Sequence, residues 1–458
     1  MELKHKLPTP PKFLKTMGPS FVLLGLALGS GELIMWPYLS ALWGMGLIWG
    51  AFLGISFQYV LNLEIMRFTL ARGESVFVGL SKLISWLPLW FIFSTLIPWS
   101  LPGFSSAASE IFSTIFHLPF NNLLTMGFLL LTGIVLTLGE TLYRTMEFVQ
   151  KAVIAIGLPF IVLLVVLVTK KTDWVETGLG LIGKGQGWWF FPPGVALASF
   201  LGAFAYSGAG GNLNLAQSYN IKEKGFGMGK FAGKITSLFA PGKKVITLSG
   251  FSFEDNEENY SLWKKWWRLV TGEHFVVFWF LGLATIILLA VLAKSLVFGN
   301  ADAVGIDFLF QQGSILSHRV GPALGIGFLA IAALMLFSTQ IGVLESSSRI
   351  ISENFLLLFY KPGQKTNPSL AFYIALWAQI ALGTIILFLG FGEPRALLTL
   401  SAILNAVSMM VAFPLIYFLN KKSLKKHYQA SFPLLLVYFT GFIFFIVFVG
   451  LTFRNLFI

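Results

Sequence analysis

The apolar stretch GPSFVLLGLALGSGELIMWPYLSALW, which runs from Gly18 to Trp43, is interrupted in its own middle by Gly29, Ser30 and Gly31 and then by an ionisable residue, Glu32. Unpaired backbone groups are too costly in hydrocarbon for such a break to face lipid, so it has to lie against protein or a water-filled cavity. A second apolar stretch, AFAYSGAGGNLNLAQS from Ala203 to Ser218, breaks in the same way near the middle of the chain. Interrupted spans in corresponding positions of two halves predict discontinuous helices whose gaps face each other at mid-depth, around Gly29 to Gly31 and Ser207 to Gly211.

Composition places the whole chain in a bilayer. Of the residues, 56% are hydrophobic and 11% charged, against roughly 25% charged in a soluble domain. A single water-soluble core is excluded. Stretches of about 20 mostly apolar residues, the length of one helical crossing, fall near 17–43, 45–68, 84–108, 121–139, 146–169, 194–219, 273–293, 320–352, 368–391, 396–419 and 431–452. Pro98 and Pro102 interrupt the third, and Glu345 with Ser346, Ser347 and Ser348 interrupts the eighth, so both are expected to face the bundle.

The net charge of +12 takes its meaning from where the basic residues lie. With the amino terminus inside, about 25 of the 32 Lys and Arg residues fall in inside segments, the bias expected of a multi-pass plasma-membrane protein. An odd number of crossings then puts the carboxyl terminus outside. The excess charge is topological, and no nucleic-acid partner is expected. The segment before residue 17 has no short apolar region followed by a small-residue cleavage site and reads as a retained cytosolic tail.

No P-loop, zinc spacing, EF-hand or nucleophile elbow occurs, and cysteine is absent, so neither catalysis nor a cofactor is expected. Transport would then run on an ion gradient or passively. The long inside connection near 221–272 ends in SLWKKWWRLV, where Trp263, Trp266 and Trp267 beside Lys264, Lys265 and Arg268 suit a short helix lying in the membrane interface or a solvated loop with an aromatic anchor.

From Gly18-Pro19 onward the first span resembles the opening helix of the Nramp (natural resistance-associated macrophage protein) family of proton-coupled divalent-metal transporters, whose Asp-Pro-Gly-Asn break falls on Gly29, Ser30, Gly31 and Glu32. Gln58-Tyr59, Ala71-Arg72-Gly73, Glu110, LMLFSTQIGVLESSSRII and LLTLSAILNAVSMMVAFPLI resemble the family's second, third, eighth and tenth helices. The resemblance implies a divergent Nramp-related member of the APC superfamily: an all-α integral membrane protein of LeuT-type fold, a 5+5 inverted repeat with broken helices 1 and 6 plus an eleventh helix. The first repeat is then 17–169, 170–193 an outer loop, the second repeat 194–419, and the last helix 431–452.

At the ligand positions the chain departs from that family. The metal-binding aspartate is Gly29, the Met-Pro-His of the sixth helix falls on Ala209, Gly210 and Gly211, and a glutamine of the tenth is Ala402. Loss of the thioether removes the bias toward soft transition metals. Small residues at ligand positions enlarge the cavity, which suits a hard or hydrated divalent cation, with Glu32 as its ligand, or a small organic solute held by exposed backbone amides at Gly31 and Gly211. A non-transporting sensor on the same fold is a third possibility. The expected substrate site comprises Gly29, Ser30, Gly31, Glu32, Tyr206, Ser207, Ala209 and Asn212, with Glu110 on a proton pathway. Glu32 could instead cap a half-helix, Tyr206 could be a filler, Glu64 and Arg67 read as an ion pair, and His5 and His117 read as loop residues.

Overall fold

The computed structural model describes residues 4–138, 142–233, 248–299, 306–359 and 366–457. Within them eight helices are long and apolar enough to cross a membrane, and Asn122–Leu138 is a shorter apolar one; the helical segments are labelled here α1 (19–43), α2 (Ile48–Arg72), α3 (Leu87–Ile115), α4 (Asn122–Leu138), α5 (Leu142–Val168), α6 (197–224), α7 (275–297), α8 (Pro322–Phe359), α9 (Pro368–Phe388), α10 (Pro394–Ser423) and α11 (Phe432–Phe457). Alternating direction leaves the amino-terminal segment, the α2–α3, α6–α7, α8–α9 and α10–α11 connections on one face, called the tail face below. The α3–α4, α5–α6 and α7–α8 connections lie on the far face.

Local chemistry sets the ends. Pro19, Pro368 and Pro394 open α1, α9 and α10 at positions whose N–H would be unpaired in any case. The Asn367 side chain accepts the N–H of Leu370, and the Glu393 carboxylate accepts those of Arg395 and Ala396. Gly73, at φ +62°, ends α2 in the left-handed conformation that glycine adopts without strain. α3 is split after Trp99 by Ser100–Pro102, as its prolines predict. α8 runs unbroken through Glu345 and its serines, which are buried.

The two predicted breaks differ from each other. α6 is open from Tyr206 to Gly210, passes through a 3-10 turn at Gly211–Asn214 and resumes as helix at Gln217–Lys224. α1 does not unwind. It continues as a π-helix over Leu28–Met35 and returns to α-helix at Trp36–Trp43. The glycines there serve close approach: a Cβ on Gly31 would stand 1.7 Å from the Tyr206 carbonyl oxygen, and one on Gly29 would stand 2.8 Å from Thr339 Oγ1. Thr339 in turn accepts the Gly29 N–H (3.0 Å) and donates to the Gly25 carbonyl (2.9 Å), satisfying backbone groups that the wider π turn would leave free.

The tail face is capped. Asn256 caps the helix Glu257–His274, which runs without interruption into α7. A two-residue parallel pairing joins β1 (Lys4–His5) to β2 (Ser252–Phe253). Trp263 and Trp266 are buried against protein, not laid in a lipid interface: Trp266 donates to the Pro8 carbonyl at 2.6 Å and packs on Phe226, while Trp263 meets Tyr428 edge-on. Only Trp267 is part-exposed, and it lies under the Arg67 guanidinium at 3.9 Å. The aromatic run is therefore an anchor for the tail. Residues 234–247 of this connection lie outside the described residues.

Candidate functional site

The opening in α6 is walled by α2, α3 and α10, and every group it offers is neutral. Gln58 of α2 spans it, donating to the Ala205 carbonyl (3.0 Å) and accepting from the Gly210 N–H (3.2 Å) and Asn214 Nδ2 (3.0 Å). This one side chain satisfies backbone that the missing helical turn leaves open. Gly210 can take φ +74° there because it lacks a Cβ, and the Tyr206 ring fills the adjoining space.

Tyr206 is wholly buried, and its hydroxyl donates to Ser401 Oγ at 2.7 Å on α10. Asn405 Nδ2 donates to the Ser401 carbonyl at 2.9 Å and approaches the tyrosine oxygen at 3.4 Å. The Trp99 ring of α3 lies 5.8 Å from that of Tyr206. Asn212 turns toward α3, donating to Ser94 Oγ (2.8 Å) and Thr95 Oγ1 (2.9 Å). Around these contacts four buried polar atoms have no partner: Trp99 Nε1, a donor, and the Asn212, Asn214 and Asn405 Oδ1 acceptors. Buried polar groups are paired in the great majority of cases, which makes these unpaired atoms the candidate ligand contacts of the α6 break.

The expected site residues do not form one cluster. Gly31 meets Tyr206 directly, and Ser207 accepts from Trp36 Nε1 at 3.0 Å, so α1 and α6 touch there. Ala209 is buried beside them. Gly29 faces Thr339 on α8, away from Asn212. The side chain of Ser30 lies outside the described residues. Glu32 is fully buried and points between α2 and α7, where Oε1 lies 3.6 Å from the position of a Cβ on Gly282; neither of its oxygens has a partner. Among the described residues no group of three or more His, Cys, Asp or Glu comes together in a way that could hold a metal ion. Glu110 stands elsewhere, in a far-face cavity of about 410 Å³ that it shares with Asn122, Asp307 and Glu393.

The tail side is tied shut by ion pairs. Arg349 of α8 joins Glu345 on its own helix and Glu223 of α6, all three buried. Glu353 of α8 accepts from Ser75 Oγ (2.5 Å) and from the Tyr219 hydroxyl (2.9 Å). The expected Glu64–Arg67 pair is present at 2.9 Å and recruits Asn420 of α10. Sequence reasoning missed Glu273 and His274, buried at the end of the helix that leads into α7, and Trp99, Ser401 and Asn405. His274 stands in a run of aromatic residues that reads as lipid-facing. The others lack a motif, because neutral hydrogen-bonding groups acquire meaning only from the helices that bring them together.

The sequence matches no protein-family model and no curated protein. Among solved structures, a variant of the Eremococcus coleocola manganese transporter superposes with a TM-score of 0.67 at 13% identity, covering 99% of this chain and 89% of that one. Mhp1, a nucleobase-cation-symport-1 family transporter in a closed conformation with bromovinylhydantoin bound, gives a TM-score of 0.56 at 12% identity, with 97% and 94% covered. The fold is therefore the LeuT type, on a multi-pass membrane protein.

Proposed function

We propose that this chain is a secondary transporter that carries a small, planar, uncharged organic solute with amide-type donors and acceptors, bound at the α6 break. The carrying observation is the neutral aromatic wall with Trp99 Nε1, Asn212 Oδ1 and Asn405 Oδ1 unpaired. An indole donor and amide acceptors beside tilted aromatic rings complement a heterocycle with an N–H and carbonyl oxygens, and they offer little to a bare cation, which needs several oxygen ligands. Likeness to Mhp1, which holds a hydantoin, supports the same class. The shared fold and the tail-side ion pairs support alternating access, with the tail face held closed by those pairs.

A divalent cation is the second reading, favoured by the higher TM-score to the manganese transporter. Uptake by proteoliposomes separates the two, using labelled nucleobases, hydantoins and manganese as probes. We expect heterocycle uptake that falls at least tenfold in Asn212→Ala and in Trp99→Phe, since a site built to pair a polar substrate loses heavily when a partner is missing. Manganese uptake that ignores both substitutions, with no heterocycle moved, would overturn the organic-solute reading.

A further inference from the structure

We propose that the interface of α1, α2 and α7 is a proton conduit, with the proton held on the Glu32 carboxyl and passed to the tail face through His274, Ser20 and Glu273. The inference rests on the transporter reading, to which it adds the coupling ion and its route, separate from the solute wall on α3, α6 and α10.

The residues stand in sequence along the interface. Glu32 has no hydrogen-bond partner for either oxygen, and at Gly282, where its carboxyl lies, the closest other side chains are Ile55 and Leu24. An apolar shell accepts a neutral carboxyl far more readily than a carboxylate. Eight residues before Gly282, about 12 Å along the helix axis, the His274 ring is stacked between Tyr59 (5.3 Å) and Phe278 (4.7 Å). Its Nδ1 is 2.7 Å from Ser20 Oγ, and Ser20 Oγ is 2.5 Å from Glu273 Oε2. Glu273 Oε1 also accepts the N–H groups of Gly18 and Ser20.

With Glu273 ionised, that network selects one tautomer. Ser20 donates to Glu273, so it accepts from Nδ1–H, and Nε2 is left as a bare acceptor, buried and unpartnered. An unpaired acceptor on His274 and an unpaired acid on Glu32 thus mark the two ends of this stretch of the interface. Each helix carries a π-helical segment at this interface, Leu28–Met35 packed on Gly282–Val297 and Phe275–Leu281 packed on Pro19–Ala27, a local geometry found mostly at functional sites. Beyond Glu273, a Cβ on Gly18 would stand 2.6 Å from Glu147 Oε1 and 2.9 Å from Lys224 Nζ, a pair that is part-exposed at the tail face.

The transfer balances without another reactant. Water admitted to the interface takes the Glu32 proton and delivers it to Nε2; Nδ1 gives its own proton to Ser20, whose proton passes to the Glu273 carboxylate. Glu32 is left ionised, the imidazole neutral in the other tautomer, and one positive charge has moved to Glu273. The titratable or charged groups facing this route are Tyr59 on α2, Glu273 and His274 at the end of the helix that leads into α7, Tyr143 on α5, and Glu147, Lys151 and Lys224 at its mouth. α6 and α8 present the Tyr206 carbonyl and Thr339 to α1.

Infrared spectroscopy of the reconstituted full chain tests this without any cargo. We expect a carboxyl C=O band at neutral pH that is lost in Glu32→Gln and shifted in Glu32→Asp, the second variant serving if the first does not fold. On transfer to D₂O that band should exchange at least tenfold more slowly in His274→Asn, which keeps a donor toward Ser20, and in His274→Phe, which keeps the stack. Exchange unchanged in both would overturn the route. A Glu32 carboxylate band at neutral pH, or one that appears only with sodium, would overturn the proton assignment. Because no solute is needed, failure here is distinct from failure of heterocycle uptake.

Discussion

Gly31 shows how far a single residue decides the packing of the two repeats. A Cβ at this position would sit 1.7 Å from the Tyr206 carbonyl oxygen, backbone that cannot swing aside. Gly31→Ala must push α1 and α6 apart, an overpacking cost of about 1–3 kcal/mol or more, and with it displace Ser207 from Trp36. Gly178, inside the helix Lys171–Leu181, has nothing within 4 Å of its Cβ position. Gly178→Ala should therefore raise stability by about 0.4–1 kcal/mol through the unfolded chain. Thermal unfolding in detergent checks both; a Gly31→Ala variant as stable as the parent would refute the contact. Residues of this kind were only half legible in sequence. The GSG motif marked an unusual place, but glycine before a close approach and glycine before a break look the same, and the partner carbonyl is 175 positions away.

At the scale of elements, the spans could be read because bilayer thickness imposes a length that apolar runs must meet. The α6 break and the α3 split followed from Gly and Pro chemistry. What could not be read was α1, where a π turn and a threonine from α8 replaced the expected coil, and the Glu257–His274 helix, whose amphipathic pattern fits protein burial as well as lipid. That helix is tied to the α10–α11 turn through Asp255, which accepts from Lys425 (2.6 Å), Tyr428 (2.9 Å) and His427 (2.9 Å). Hydrogen bonds from Lys425, then Tyr428, hold its carboxyl down at about 2. A group depressed below its unfolded value of about 3.9 contributes stability above that value and loses it as pH falls through the folded one. Protease nicking of the 248–256 segment should rise between about pH 4 and 2, and Asp255→Asn should nick readily at neutral pH too. Equal nicking of parent and variant at neutral pH would show that the tie holds nothing.

For the molecule as a whole, charge sets orientation, since Lys and Arg are retained on the inner side during insertion. The amino terminus should be inside and Lys184, on the far face, outside. The chain has no native cysteine, so single substitutions report without background. In intact cells a membrane-impermeant maleimide should label Lys184→Cys and spare Lys12→Cys until the membrane is opened. The reverse pattern would invert the topology and, with it, the direction assigned to the closed face.

The helix that begins at Glu257 does not end until Val297, giving 41 residues of continuous helical backbone, about 60 Å of contour. One end is gripped by the amino-terminal segment through Pro8 and Asn259. The other passes Gly282, against which Glu32 rests. Such a rod puts the tail-face grip and the wall beside the buried acid on one uninterrupted piece of backbone, so the two ends share a single rigid element.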